Sequence, residues 1–210
     1  MSFTTLAADA MDHRENYKLI VGSIVPRPIA FVSTRSSDGS LNLAPFSYFN
    51  GVSSKPPTVS ISIMQKFSDS GTKDTLRNIL DTGEFVVNIV TEDIVEAMNE
   101  TATEFPADVN EFEISGLTPI SSELVSPPRV KESPIQMECT LFHHVQVGDG
   151  SPGSATLVIG EVKLFHVRQD LLYNGKIDIR KLKPVGRLAG GEYTRLGELF
   201  TIERKPYQGK

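Results

Sequence analysis

The sequence predicts a mainly β protein in which two short helices are inserted into a closed β-barrel. Three observations support this prediction. About six segments alternate apolar and polar residues or are rich in β-branched residues, two stretches show the apolar spacing of amphipathic helices, and short turns connect several of the strands. A chain of 210 residues can bury a sizeable core as one domain. We therefore predict a polar N-terminal arm over residues 1–16 and a single domain over residues 17–210.

Residues 26–50 predict an antiparallel β-hairpin, because apolar β-formers flank a turn that contains Asp38 and Gly39. The second arm, residues 41–50, includes Pro45, which has no backbone N–H to donate, so we expect a sheet edge or a bulge there. Hydroxyl, amide and aromatic side chains are concentrated in this region: Ser33, Thr34, Asn42, Phe46, Ser47, Tyr48, Phe49 and Asn50. Such a composition suits a flat, partly polar ring, although the aromatic residues are equally compatible with core positions.

Downstream of the hairpin, alternation and apolar runs predict four more strands, and apolar residues three to four positions apart predict two helices. The strands are residues 58–63, 84–90, 135–147 and 156–167, and the helices are residues 72–80 and 94–102. Upstream of the hairpin, residues 17–21 are compatible with a short strand or a helix. We expect Thr72 or Asp74 to cap the first predicted helix and Gly83 to end it.

Residues 105–134 form a long segment that is rich in Pro, Ser, Glu and Asn and has little periodicity. A connection of this length is uncommon in a compact domain unless it has a function of its own. We therefore expect a surface excursion that serves as a lid or as a dimer contact.

The composition excludes several classes of function. With a net charge of −5 and no cluster of Lys and Arg, the chain is not expected to bind nucleic acid or an anionic membrane. Cys139 is the only cysteine, which excludes an internal disulfide and a thiolate metal cluster, so redox chemistry would need a bound cofactor. His143 and His144 are neighbours on a predicted strand and point to opposite faces, so they cannot share a metal ion. No apolar run of about 20 residues and no basic-then-apolar leader is present, and we expect a cytoplasmic protein.

Two segments are candidates for binding a ligand. The start of the helix at 72–80 combines a helix N-terminus with Lys73, Thr72 and Thr75, which suits a phosphate, although an ordinary capped helix has the same composition. The glycine-rich residues 186–193 would let Arg187 and Tyr193 reach a ligand, or they form a flexible loop. No motif for the usual dinucleotide or nucleotide folds is present.

Two long motifs and one short motif connect the chain to a known family. They are Val-Pro-Arg-Pro-Ile-Ala-Phe-Val-Ser-Thr at 25–34, Asn-Leu-Ala-Pro-Phe-Ser-Tyr-Phe-Asn at 42–50, and Lys-Asp-Thr at 73–75. This pattern resembles the flavin reductase-like family of FMN-binding split β-barrels, which includes flavoredoxins. The similarity extends through Glu138-Cys139 and Gly160-Glu161-Val162 to Gly190-Gly191-Glu192-Tyr193, and so covers nearly the whole chain.

The resemblance implies a homodimer of Greek-key-like split barrels with one FMN per subunit near the dimer interface. It assigns contacts with the flavin ring and ribityl chain to Thr34, Asn42, Ala44, Ser47 and Asn50. It assigns the phosphate to Lys73, Asp74 and Thr75, and closure of the site to Arg187 and Tyr193. Arg27, Pro45 and Phe46 belong to the same motifs and complete the predicted cofactor-binding set.

The resemblance implies an oxidoreductase that takes a hydride from NADH or NADPH. The electrons would pass to free flavin, to oxygen or to a redox partner such as a monooxygenase. FAD is an alternative to FMN as the bound cofactor. No catalytic side chain or metal is expected, because the flavin accepts the hydride itself. Some short reductases of the wider family carry Gly-Asp-His for NAD(P)H, whereas the comparable turn here is Gly148-Asp149-Gly150. An electron-transfer protein with little nicotinamide activity is therefore the alternative, and a barrel that has lost its cofactor is a third hypothesis.

Overall fold

A seven-stranded antiparallel sheet forms the centre of the computed structural model, which describes residues 1–65, 71–106 and 108–207. The described strands are β1 (Ala30–Arg35), β2 (Leu41–Phe46), β3 (Phe49–Ser54), β4 (Pro57–Met64), β5 (Glu84–Ile89), β6 (Pro119–Ile120), β7 (Arg129–Val130), β8 (Ile135–Val147), β9 (Ala155–Val167), β10 (Leu172–Tyr173), β11 (Lys176–Ile177), β12 (Gly186–Arg187) and β13 (Tyr193–Thr194). The order in the sheet is β2-β1-β5-β8-β9-β4-β3, and the short strands pair as β6–β7, β10–β11 and β12–β13. The predicted mainly β fold is confirmed, with β4, β5, β8 and β9 at the predicted strands.

The sheet is rolled into a barrel, as the proximity of its two edge strands shows. β2 and β3 lie at opposite edges of the sheet, yet only Ser47 and Tyr48 separate them. A flat sheet cannot bring its edges this close. At the crossing, Tyr48 already extends the β3–β4 pairing, because the Ser62 N–H of β4 donates to the Tyr48 carbonyl at 2.8 Å. The predicted edge position of Pro45 is confirmed. The prediction of one continuous arm over residues 41–50 is wrong beyond Phe46, where the chain crosses to the other edge.

The barrel interior is filled by apolar side chains from six strands of the sheet. Val32, Ile61, Val87 and Val158 are fully buried in one cluster with Cys139. Burial raises the pKa of the Cys139 thiol, and the nearby Glu138 charge acts in the same direction, so this cysteine is a core residue as its alternation predicts. The small barrel is therefore packed with its own side chains, and any ligand would have to bind outside its wall.

The helices lie around the barrel: α1 (His13–Ser23), α2 (Asp74–Thr82), α3 (Val95–Glu100), α4 (Glu111–Ser115) and α5 (Ile179–Leu182). A capping box between Asp12 and Glu15 starts α1, so the predicted boundary of the N-terminal arm at residue 16 falls inside a helix. α2 ends at Gly83 in the left-handed conformation (φ 73°), as predicted. Its N-cap is Lys73 without a capping side chain, so the predicted cap by Thr72 or Asp74 is wrong. None of the described helices is long and apolar enough to cross a membrane.

Residues 105–134 fold back onto the outer face of the sheet, where Phe112, Leu117 and Val130 pack in a cluster with Phe31 and Leu43. Buried polar groups fasten the segment as well. The Val130 N–H donates to Asn88 Oδ1 at 2.9 Å, and Ser33 Oγ donates to the Pro128 carbonyl. Apolar burial and satisfied buried polar groups indicate a fixed cover of the barrel wall rather than a lid. The alternative, a dimer contact, stays a prediction.

Candidate functional site

An open cleft lies between the edge strand β2 and the start of α2. We name it the β2–α2 cleft. Its lining residues are Asn42, Ala44, Pro45, Phe46, Lys73, Asp74, Thr101, Ala102, Thr103, Glu104, Phe105 and Glu111. The structure therefore brings together the parts of the second and third motifs that the sequence assigned to one ligand.

The β2 end of the cleft offers few backbone N–H donors, and because Leu43 is fully buried, the Pro45 carbonyl is its outward acceptor beside the cleft. Because β2 is an edge strand, alternate residues direct their backbone groups away from β1. Of these, Leu43 gives its N–H to the Glu111 carboxylate at 3.0 Å, and Pro45 has no N–H. The small side chain of Ala44 leaves room beside the strand. This edge suits a flat ligand that carries its own N–H or O–H donors.

The α2 end of the cleft suits an anion. No side chain among the described residues caps the helix, so its first N–H groups and the positive end of its dipole remain available. Lys73 lies at the N-cap position, and its Nζ is 3.5 Å from Glu104 Oε1 across the cleft. Asp74 is paired with Arg77. A phosphate at this point would exchange the Lys73–Glu104 pair for a charge-assisted contact with both the lysine and the helix.

A buried network of hydroxyl and amide groups connects the two ends of the cleft. Asn42 Nδ2 donates to Thr34 Oγ1 at 3.2 Å and to Thr75 Oγ1 at 2.9 Å, and Asn78 Nδ2 donates to Thr34 Oγ1 at 3.0 Å. Thr34 is fully buried and Thr75 is 2% exposed, so both lie behind the wall of the cleft. These hydrogen bonds fix the Asn42 amide and tie β2 to the first turn of α2.

Glu111 is the buried carboxylate of the cleft and is only 9% exposed. It belongs to α4, whose residues the sequence patterns did not select, and its Oε2 accepts the Leu43 N–H of β2. Burial raises the pKa of Glu111, the hydrogen bond from Leu43 opposes this, and the negative charge of Asp74 adds to the increase. Glu111 therefore holds the edge strand and presents an acceptor beside the cleft.

Glu111→Gln is expected to remove one component of the pH dependence of stability. Because the folded-state pKa of Glu111 is raised, the folded protein binds this proton more tightly than the unfolded chain. The resulting stabilisation is present below the unfolded pKa of about 4.3 and is lost as the pH rises through the folded pKa. The free energy of unfolding of the wild type minus that of Glu111→Gln should therefore decrease with rising pH. Urea unfolding from about pH 4 to 8 measures this difference, with Glu113→Gln on the same helix as the control for a lost charge. If the difference in the free energy of unfolding between the two proteins stayed constant with pH, the prediction would be wrong.

Arg27, a predicted cofactor residue, is 5% exposed and bonded mainly to the protein. Its Nη1 donates to the carbonyls of Val21 at 2.7 Å and Ile24 at 2.8 Å. Nη2 donates to the Leu188 carbonyl at 2.9 Å, and Nε donates to Ser47 Oγ at 3.3 Å. Four of the five guanidinium donors are thus occupied. Arg27 therefore connects the end of α1 and the β12–β13 hairpin to Ser47, which follows β2.

Asn50, Arg187 and Tyr193 lie away from the β2–α2 cleft in the single chain. Asn50 is exposed on β3, and its Oδ1 accepts the Gly51 N–H at 2.9 Å. The Arg187 guanidinium lies 4.4 Å from the centre of the Tyr193 ring across the β12–β13 pair, a cation–π contact. The Tyr193 hydroxyl donates to Asn99 Oδ1 at 2.7 Å, on α3. The structure therefore does not bring all the predicted cofactor-binding residues together. Some line the β2–α2 cleft, some belong to the hydrogen-bond network behind it, and Asn50, Arg187 and Tyr193 lie on other surfaces of the chain.

The rolled antiparallel sheet with helices around it is the split-barrel fold of flavin reductase-like proteins. The model of the Flavin reductase like domain matches residues 21–180. The chain belongs to this family, as its motifs predict.

Relatives and solved structures agree with this assignment over nearly the whole chain. An uncharacterized protein of Halalkalibacterium halodurans is 43% identical over 200 residues, which is 95% of each chain. The structure of nitrilotriacetate monooxygenase component B from Bacillus cereus is 44% identical, with a TM-score of 0.92, and covers 96% of this chain and 100% of that one. The 2-nitrobenzoate 2-nitroreductase NbaA of Pseudomonas fluorescens is 31% identical, with a TM-score of 0.83, and covers 98% of this chain and 100% of that one. The family and these structures support a flavin-related oxidoreductase.

Proposed function

We propose that the protein is an FMN-dependent oxidoreductase that binds the cofactor in the β2–α2 cleft. The observation that carries the proposal is the pairing, in one cleft, of an uncapped helix start bearing Lys73 with the edge strand β2. FMN has a phosphate at one end and a flat ring with an N–H donor at the other. FAD would bind through its FMN half in the same cleft.

The charges and polar groups of the cleft fit the parts of FMN. The phosphate is matched by Lys73 and the α2 dipole, and the ribityl hydroxyls are donors for the acceptors on Asn42 and Glu111. Ala44 and Pro45 provide a shallow, mostly apolar surface for the ring. The carboxylates of Glu104 and Asp74 are already paired with Lys73 and Arg77, which limits their repulsion of a phosphate.

When bound, the flavin supplies hydride and electron transfer, and the protein supplies position and electrostatics. Lys73 and the start of α2 hold the phosphate, which sets how far along the cleft the cofactor lies. Asn42, fixed by Thr34 and Thr75, orients the cofactor against β2. The Thr101–Phe105 segment forms the facing wall and excludes water from that side. No side chain has to act as a strong acid or base.

We propose NADH or NADPH as the reductant, and free flavin, oxygen or a partner enzyme as the acceptor. The similar Bacillus cereus structure is named a monooxygenase component, which supports a monooxygenase as the partner. The nitroreductase NbaA supports an organic nitro compound as a second candidate acceptor. The Gly148-Asp149-Gly150 turn ends the β8–β9 hairpin and does not line the β2–α2 cleft, which keeps an electron carrier as the alternative function.

The test is a flavin titration followed by anaerobic reduction. We expect one FMN per chain, seen as quenching of FMN fluorescence at micromolar protein. In a stopped-flow instrument without oxygen, NADH or NADPH should then bleach the flavin absorbance within seconds, at a rate that saturates only at high nicotinamide concentration, because no dinucleotide-binding fold holds the nucleotide. Protein that neither quenches nor retains FMN would contradict the cofactor assignment. If dithionite bleached the flavin but neither NADH nor NADPH did, the protein would be an electron carrier and not a nicotinamide-dependent enzyme.

We also propose that two copies of the chain form the functional unit. The outer half of β8 exposes Phe142, Val145 and Val147, and α1 exposes Leu19 and Ile20, a set of apolar side chains that a second copy would cover. A partner would also bring its own Asn50, Arg187 and Tyr193 to a new position relative to the cleft. Light scattering is expected to give twice the 23.0 kDa chain mass. A monomer that binds FMN tightly would contradict this proposal.

A further inference from the structure

One carboxylate of the β2–α2 cleft lies where it competes with the proposed cofactor. Glu104 belongs to the Thr101–Phe105 wall, and its Oε1 lies 3.5 Å from Lys73 Nζ on the opposite side of the cleft. Lys73 is the cation that the proposed function assigns to the FMN phosphate. We infer that Glu104 competes with the phosphate for Lys73, so that it weakens FMN binding and keeps the cofactor exchangeable. This inference rests on the proposed function and gives a role to a residue that no sequence motif identified.

The wall that carries Glu104 is held in place by contacts on both sides of this residue. Before it, Thr101 is 2% exposed, and its Oγ1 donates to the Met98 carbonyl at 2.8 Å. After it, the Phe105 N–H donates to the Thr103 carbonyl at 3.0 Å. These contacts fix the backbone of Glu104 relative to the cleft. The carboxylate is therefore anchored on the wall that faces the lysine.

The other two carboxylates of the cleft do not compete in this way. Asp74 is paired with Arg77, and Glu111 accepts a backbone N–H of β2 at 3.0 Å. Neither contact includes Lys73, so a phosphate can bind the lysine without breaking them. The Lys73–Glu104 pair is the contact that phosphate binding has to break. Glu104 is thus the carboxylate that sets the cost of placing a phosphate at the start of α2.

The exposure of the pair makes the competition weak enough for a ligand to overcome. The side chains of Lys73 and Glu104 are 31% and 37% exposed. Partly exposed ion pairs contribute little to stability, because water screens them and ordering two long side chains costs entropy. A phosphate carries more negative charge than a carboxylate and also interacts favourably with the positive end of the α2 dipole. FMN therefore displaces Glu104 from the lysine, and the broken pair lowers FMN affinity by a small factor.

The competition should act mainly on the release of FMN. Affinity differences between closely related complexes lie mostly in the dissociation rate. Glu104 is anchored beside Lys73, so it can return to the lysine as soon as the phosphate leaves. Rapid release suits a protein that passes electrons on as free reduced flavin, which is one of the proposed routes.

The experiment compares the wild type, Glu104→Gln and Glu96→Gln by fluorescence titration with FMN and with riboflavin. Glu104→Gln keeps the size of the side chain and removes its charge. It should bind FMN about three- to fivefold more tightly than the wild type and release it more slowly by a similar factor, whereas riboflavin affinity should not change. Glu96→Gln removes an exposed carboxylate of α3 that does not line the cleft, and it should leave both affinities unchanged.

A Lys73→Met background separates competition from direct repulsion of the phosphate. In that background there is no lysine to compete for, so Glu104→Gln should change FMN affinity by less than about twofold. An equal gain with and without the lysine would overturn the inference, because Glu104 would then repel the phosphate directly.

The remaining outcomes distinguish the inference from the proposed function. If the wild type and Glu104→Gln bound FMN with equal affinity, the inference would be wrong and the proposed function would stand. If Glu104→Gln tightened riboflavin as much as FMN, the inference would also be wrong, because the effect would not involve the phosphate. If neither protein bound FMN, the inference and the proposed function would both be wrong.

Discussion

Replacing Lys73 with methionine is expected to weaken FMN binding by between 10- and 100-fold while leaving riboflavin binding nearly unchanged. A charge-assisted hydrogen bond to a phosphate contributes about 1.5–3 kcal/mol, which corresponds to that range of affinity. In the structure the lysine already pairs with Glu104 at 3.5 Å, and it gives up this contact when it binds a phosphate. The net effect should therefore lie nearer to tenfold than to 100-fold.

Fluorescence titration with FMN and riboflavin in parallel measures the effect, because riboflavin differs only in lacking the phosphate. Lys163→Met removes a lysine of similar exposure from β9 and should leave both affinities unchanged. If Lys73→Met weakened riboflavin as much as FMN, Lys73 would act through the folding of α2 and the phosphate assignment would be wrong.

The fold was largely predictable because most strands carry their own signal. β5, β9 and the first half of β8 alternate or are continuously apolar, so local pattern alone locates them. The crossing at Ser47 and Tyr48 was not predictable in the same way. It depends on the curl of the complete sheet, which places the end of β2 beside β4, and nothing between Phe46 and Phe49 breaks the strand pattern. Tertiary closure determines where that strand ends.

The candidate cleft was predictable where its lining residues are close together in the sequence. Asn42 to Phe46 and Lys73 to Asp74 belong to compact motifs, and the structure brings them to one cleft. Glu111 was missed because residues 105–134 lack periodicity, and its position depends on how that segment packs on the sheet. The Thr101–Phe105 wall was missed because it directly follows the end of α3, and only the tertiary structure places that end beside β2. Arg27 shows the opposite case, since a motif identifies the residue but only the hydrogen bonds reveal what it binds.

Arg27→Met is expected to lower the free energy of unfolding of the cofactor-free protein by about 3 kcal/mol. The substitution leaves the carbonyls of Val21, Ile24 and Leu188 without their donor in a buried region, and hydrogen bonds to a charged group contribute about 1.5–3 kcal/mol each before the cost of desolvating the arginine is subtracted. Arg195→Met is the control. Arg195 is largely exposed and makes one ion pair with Glu92 at 3.1 Å, so its loss should cost less than about 1 kcal/mol.

Urea unfolding without FMN, followed by FMN titration of the folded variant, separates the two roles that Arg27 can have. If the residue anchors α1 and the β12–β13 hairpin, stability falls in the absence of any cofactor, and FMN affinity falls only as far as Ser47 and the end of β2 lose their position. Arg27→Lys should recover part of the stability, because an ammonium group reaches one or two of the carbonyls but cannot span all three. A variant that is as stable as the wild type without cofactor but binds FMN poorly would instead make Arg27 a direct cofactor contact, as its motif predicts.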